Sequence, residues 1–256
     1  MRSLTIFGKW QRCLISSKMR VLRVLDLEDT EGLRDKDTEP IGKLRHLRYL
    51  SLRGSQGIFH IPESFGNLSN LETLDVRGTL VTKVPSAISK LQKLSYLRAG
   101  FKPSKEEDTS IGIGKFLVTM FMLLFHKFYA CTSRGSTDAE RKGAMNNIGP
   151  LLCFIARVLL RGLDPFGVKV PRSMGEWKNM HTLGVVNVAR GETVIQELKN
   201  MTKLRKLGVS GINKKNCKDL SNAISDLSYL ESLSLRSGGE ISQRRILIQK
   251  GKLSQM

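Results

Sequence analysis

One phrase returns along this chain with its leucines in step. MRVLRVLDLEDT at 19–30, LRHLRYLSLRGS at 44–55 and LSNLETLDVRGT at 68–79 all fit L-x-x-L-x-x-L-x-L-x-x-[ST], with Met19 in the first leucine slot and Val76 in the last. A fourth copy begins LQKLSYLRAG at 91–100. Three more follow: WKNMHTLGVVNV at 177–188, MTKLRKLGVSGI at 201–212 and LSYLESLSLRSG at 227–238. The second leucine falls at Leu22, Leu47, Leu71 and Leu94, spacings of 25, 24 and 23, and the later copies are 24 and 26 apart. A period of this length marks a repeat architecture.

In each copy the last two leucines alternate with polar residues, the period-2 signature of a strand with one buried face. A short strand and its returning segment cannot bury that face alone. Stacked copies can, as a parallel sheet over one elongated leucine core. Between strands come IPESFGNL at 61–68 and VPSAISKL at 84–91. Their Ile-Pro and Val-Pro steps end pairing and start the return path, because proline lacks an amide hydrogen and disfavours helix before it. The expected fold is an α/β repeat solenoid: a leucine-rich-repeat horseshoe arc with a parallel concave sheet.

The register is interrupted once. VKVPRSMGEW at 168–177 fits the missing half of the fourth copy, with Val170-Pro171 in place of Val84-Pro85, Met174 of Ile88 and Trp177 of Leu91. From Leu91 to Trp177 is 86 residues, against roughly 24 in an ordinary repeat. The reading is therefore repeats over 1–100, an insertion over 101–167 that is partly helical or disordered, repeats over 168–238, and a tail over 239–256. Two apolar runs lie in the insertion, 116–125 and 151–163; His126-Lys127 breaks off the first and Arg157 interrupts the second. A membrane span needs about 20 mostly apolar residues, so a span is not expected, and an amphipathic helical pair and poorly ordered sequence both stay open.

Charge and motifs narrow the function. There are 42 Lys and Arg against 23 Asp and Glu, a net +19 spread along the chain. Such a field favours acidic partners, nucleic acid or anionic membrane. Cys13, Cys131, Cys153 and Cys217 form no C-x-x-C pair, which suits a reducing compartment and a cytoplasmic location. The start MRSLTIFGKWQRC lacks the apolar stretch of a signal peptide. No phosphate-binding loop, H-E-x-x-H, G-x-S-x-G or kinase motif occurs. Asp26 and Asp75 share a strand column two repeats apart, poor geometry for acid–base work. Neither an enzyme, nor a cofactor, nor a metal site is expected.

Strand residues between the buried leucines face the concave side. Aligned copies give three columns: Val24, Tyr49, Thr73, Tyr96, Thr182, Lys206 and Ser232; then Asp26, Ser51, Asp75, Arg98, Gly184, Gly208 and Ser234; then Glu28, Arg53, Arg77, Val186, Ser210 and Arg236. Tyrosine and arginine are favoured interface anchors. The candidate partner-binding residues are Tyr49, Arg53, Arg77, Tyr96 and Arg98, and replacing Tyr49 or Arg77 is expected to weaken capture with stability nearly unchanged. The alternative is a basic surface that binds nucleic acid or anionic membrane.

RSLTIFGKW, MRVLRVLDLEDT, IGKLRHLRYLSLRG, IPESFGNLSNLETLDVRGT and HTLGVVNV together with LRKLGVSGIN resemble a known family. They are similar to the repeat region of plant nucleotide-binding leucine-rich-repeat disease-resistance proteins of the coiled-coil class found in grasses. The resemblance covers about 2–100 and 168–237. It implies a non-enzymatic, protein-binding module of an intracellular immune receptor, its partner a pathogen effector or the receptor's own nucleotide-binding domain. This sequence has no match to the family's coiled-coil or nucleotide-binding domains, so a truncated receptor is the expectation.

Overall fold

The computed structural model describes residues 1–11, 14–16, 19–100, 167–189 and 192–237. Within them eight short strands form one sheet in sequence order, every neighbouring pair parallel. They are β1 (Ser3–Thr5), β2 (Val24–Asp26), β3 (Tyr49–Ser51), β4 (Thr73–Asp75), β5 (Tyr96–Arg98), β6 (Thr182–Asn187), β7 (Lys206–Ile212) and β8 (Ser232–Ser237). The fold is a leucine-rich-repeat solenoid, with one strand more than the seven aligned copies. The extra strand, β1, pairs Leu4 with Leu25 and keeps only the L-x-I fragment of the repeat, which is why leucine alignment alone passes over it.

Register explains the core. Leu25, Leu50, Leu74, Leu97, Leu183, Leu207 and Leu233 pair strand to strand in one column, and all are buried. The return segments close the other side. In the earlier copies these are 3-10 turns at Glu39–Lys43, Glu63–Asn67, Ser86–Lys90 and Met174–Glu176, which point Ile41, Phe65, Ile88 and Met174 into the core. Pro62 and Pro85 precede two of them at φ −63° and −68°, the value that the pyrrolidine ring imposes. A short helix α1 (Asp35–Thr38) leads into the first. The last two returns are full helices, α2 (Glu192–Leu198) and α3 (Cys217–Ser225). They bury Ile195 and Leu198, and Leu220 and Ala223.

The serine or threonine that ends the motif has a structural reason. The Thr30 hydroxyl donates to the Ile6 carbonyl at 3.3 Å, Ser55 to Leu27 at 3.1 Å and Thr79 to Val76 at 2.7 Å, all three buried. The first two reach back one whole repeat, tying coil to coil where the strand has ended. The residue just before turns the chain with positive φ, Asp29 at 52°, Gly54 at 72° and Gly78 at 71°, and Gly8, which precedes Lys9 in the first coil, does so at 80°. At Gly54 a side chain would also run into the Asp29 carboxylate, so glycine is favoured there on two counts.

β5 and β6 are neighbours although 83 residues separate Arg98 from Thr182; Tyr96 pairs with Thr182 and Leu97 with Leu183. The return strip beside them is also joined. Val84 N–H donates to the Lys169 carbonyl at 2.8 Å and Lys169 N–H to Thr82 at 2.9 Å. Trp177 is fully buried and its indole N–H donates to the Ile88 carbonyl at 3.2 Å. The insertion itself, with both apolar runs and Cys131 and Cys153, lies outside the described residues except for Gly167, as do Cys13 and the tail 239–256. No helix among the described residues is long and apolar enough to cross a membrane.

Two outcomes are expected. Deleting about 103–165 leaves a soluble chain that unfolds cooperatively, because β5, β6 and the 82–84 and 167–170 strips already meet; circular dichroism and urea unfolding check this. Trp177→Ala, which empties the largest buried side chain of that joint, lowers unfolding stability by about 3–5 kcal/mol on the same urea curves.

Candidate functional site

The open face of the sheet is built from the strand residues that flank the leucine column. One row runs in strict register: Val24, Tyr49, Thr73, Tyr96, Thr182, Lys206 and Ser232. The next runs in register through Asp26, Ser51, Asp75 and Arg98. At β6 the columns read from the sequence need correction. The pairing shifts between Leu183 and Val185, so Val185 stands opposite Gly208, and Asn187, in place of Val186, opposite Ser210. Val186 is fully buried. The cause is a bulge: β6 has two residues between Leu183 and the next inward apolar side chain, where the other strands have one. Gly184 is the extra residue, and it lies so close to the backbone of Ala99 that no side chain would fit.

The second row also caps strand ends. Oδ1 of Asp26 accepts the Glu28 N–H at 3.2 Å and Oδ1 of Asp75 the Arg77 N–H at 3.1 Å; beyond the bulge Asn187, in the row of Ser210, does the same for the Ala189 N–H at 2.9 Å. The Ser51 hydroxyl takes the Arg53 N–H more loosely, at 3.4 Å. Asp75 does more than cap. Only 1% exposed, it receives Nε of Arg77 on both oxygens at 2.9 and 3.1 Å and Nη2 at 2.5 Å, with Nη1 of Arg98 at 3.7 Å. A buried carboxylate needs such a partner to stay charged. The same hydrogen bond to Asp75 is the main reason that the Arg77 guanidinium pKa is raised further.

The five candidate residues fall into two groups. Arg77, Arg98 and Tyr96 are joined: Arg98 shares Asp75 with Arg77, and its Cζ lies 5.9 Å from the Tyr96 ring centre. Tyr96 in turn stacks on His181, ring centres 5.7 Å apart and 24° from parallel. Arg53 instead pairs with Glu28 at 2.8 Å, and half-buried Tyr49 stands between Val24 and Thr73. A shallow groove of about 880 Å³ opens from Arg77 across Tyr96 and Arg98 to His181, Arg205 and Lys206. Tyr49 and Arg53 do not line it. Sequence columns place Lys206 on this face but single out neither it nor His181 and Arg205. The latter two precede their strands, where the alternation that sorts faces has not begun. Among the described residues no group of three or more His, Cys, Asp or Glu side chains could hold a metal ion.

Asp75 also changes the expectation for Arg77: a glutamate there would set two carboxylates together over a buried site, so Arg77→Glu is not neutral to stability. Asp75→Ala is expected to lower stability by about 1–3 kcal/mol, discounted because both arginines can turn to water. Asp75→Asn, which keeps an acceptor for the Arg77 N–H, loses less; urea unfolding separates the two. A raised arginine pKa keeps Arg77 charged throughout the neutral and mildly alkaline range, and its contribution is lost only as pH rises through the folded value. The deficit of each variant should therefore be the same at pH 9 as at pH 6.

Residues 1–116 match the family described as "Leucine-rich repeat region". Over 106 residues the chain is 36% identical to disease resistance protein Pik-2 of Oryza sativa subsp. japonica, covering 41% of this chain and 10% of that protein. It is 36% identical over 118 residues to disease resistance protein RGA4 of the same plant, covering 46% and 12%. To the probable disease resistance RPP8-like protein 2 of Arabidopsis thaliana it is 39% identical over 102 residues, covering 38% and 11%. The chain thus spans about a tenth of the length of these curated relatives. Among solved structures, the leucine-rich-repeat ectodomain of the Arabidopsis receptor kinase GASSHO1/SCHENGEN3 superposes on 93% of this chain and 24% of its own, at 15% identity and a TM-score of 0.47.

Proposed function

From the premise that residues 1–116 are a leucine-rich repeat region homologous to those of plant disease resistance proteins, we propose that this chain is a recognition module. It binds a protein on the open face of its sheet, without catalysis, in the cytoplasm. Tyr49, Arg53, Arg77, Tyr96 and Arg98 are the anchors. The partner is a pathogen effector or the nucleotide-binding domain of a receptor of this kind.

The observation that carries this reading is the order already present on that face. Arg77 and Arg98 are held by a buried carboxylate and Tyr96 by His181, so these side chains lose little freedom when a partner covers them. Such preorganisation turns contact into affinity, and large aromatic and arginine side chains are where interface energy concentrates.

The test is photocrosslinking with a benzophenone amino acid. Placed at Tyr49 or Tyr96, it is expected to trap a protein from challenged plant extract; placed at Lys36 on the return side, it is not. Tyr49→Ala and Arg98→Ala should each weaken recovery of the trapped protein by about tenfold while the thermal midpoint stays within about 2 °C. Equal recovery by wild type and both variants would count against the reading.

A further inference from the structure

The groove across β4 to β7 holds more positive charge than its own carboxylates balance. Arg77 and Arg98 share the single buried Asp75, and Arg205 lies 3.5 Å from Glu231. Lys206 is exposed, flanked in register by Thr182 and Ser232. No ion pair involves it among the described residues. Four basic side chains therefore meet two carboxylates, one of them out of reach of any ligand. The floor beneath is low at Gly184 and at Gly208, which lies next to Lys206, with Val185 standing between them. An anionic group can thus approach the strand backbone between Arg98 and Lys206.

We propose that this groove takes an extended acidic peptide segment of a protein partner, its carboxylates meeting Lys206 and the outward N–H groups of Arg98 and Arg205. The inference rests on the open-face reading above and adds the chemistry of what that face holds. Peptide fits better than nucleic acid on two counts. The basic side chains are bounded by Glu231 before β8 and by Glu72 before β4, which suits a short run of carboxylates rather than a long unbroken phosphodiester line. The Tyr96 ring, already engaged by His181 and Arg98, is a poor free platform for stacking a base.

The probe is a fluorescein-labelled decapeptide of alternating glycine and glutamate, compared with its glutamine counterpart and with a ten-nucleotide oligothymidylate. Each is titrated with the full chain at physiological salt by fluorescence anisotropy. The glutamate peptide is expected to bind at least tenfold more tightly than the glutamine peptide. Lys206→Glu should weaken it about tenfold or more, one attractive charge contact turned repulsive. Lys206→Gln, which only removes the charge, should lose part of that. Lys218→Glu makes the same change of net charge on α3, where the side chain is exposed, and should stay within about twofold. Circular dichroism checks that each variant is folded.

Equal binding of both peptides overturns the proposal, and so does a Lys218→Glu loss matching that of Lys206→Glu. Tighter binding of the oligonucleotide, lost in Lys206→Glu, assigns the groove to nucleic acid instead. A protein crosslinked through Tyr49 whose capture ignores Lys206→Glu would keep the open-face reading and remove this one.

Discussion

A strand of three residues cannot hold its own position; here each is held by a neighbour on either side and by leucines that only stacking can bury. That dependence organises the molecule. Leu25, Leu50, Leu74 and Leu97 are one column because their strands pair residue for residue, and they are dry because the next return segment covers them. No repeat contains its own core. Stability is then a sum over interfaces between neighbours more than over repeats, and a change at one coil is felt first by the coil beside it.

Hydrophobic burial is non-directional, so leucines alone would not fix how far one coil slides or turns against the next. Direction comes from polar groups at the coil edges. The buried hydroxyls of Thr30 and Ser55 reach the carbonyls of the preceding coil, and Asn216 continues the device further along by donating to Val188 at 3.1 Å. On the open face Asp75 serves the fold and the surface at once: it caps its own strand and sets the arginines above it. Arg77 and Arg98 are thus positioned by the same carboxylate that ends the strand.

Much of this was legible in the leucine spacing: strand positions, the shared parallel register, the proline-led returns and the first row of outward residues. What was not legible has physical causes. β1 escaped because it carries only half the motif, Leu4 and Ile6. The columns slipped at β6 because Val185 stands two residues after Leu183, where the alternation expects an inward apolar side chain, and only the pairing shift and the packing of Gly184 on Ala99 show that Val186 takes that place. His181 and Arg205 were passed over because residues just before a strand have no assigned face. The split of the anchors into an Asp75-centred group and a Glu28-paired Arg53 depends on side-chain reach that spacing does not encode.

The junction of β5 with β6 has a consequence for how the chain comes together. Elsewhere a coil can add to its neighbour after closing a loop of one repeat, so order spreads along the stack like a zipper. Between Leu91 and Trp177 the closing loop is 86 residues. The added closure entropy is modest, about 1 kcal/mol, since it grows only with the logarithm of length. It falls, however, on a single step. The stack therefore has a built-in pause, with the coils before residue 100 able to order as one cooperative unit ahead of those after 167. Amide exchange should register that seam as a drop in the shared protection of the two sets of strands.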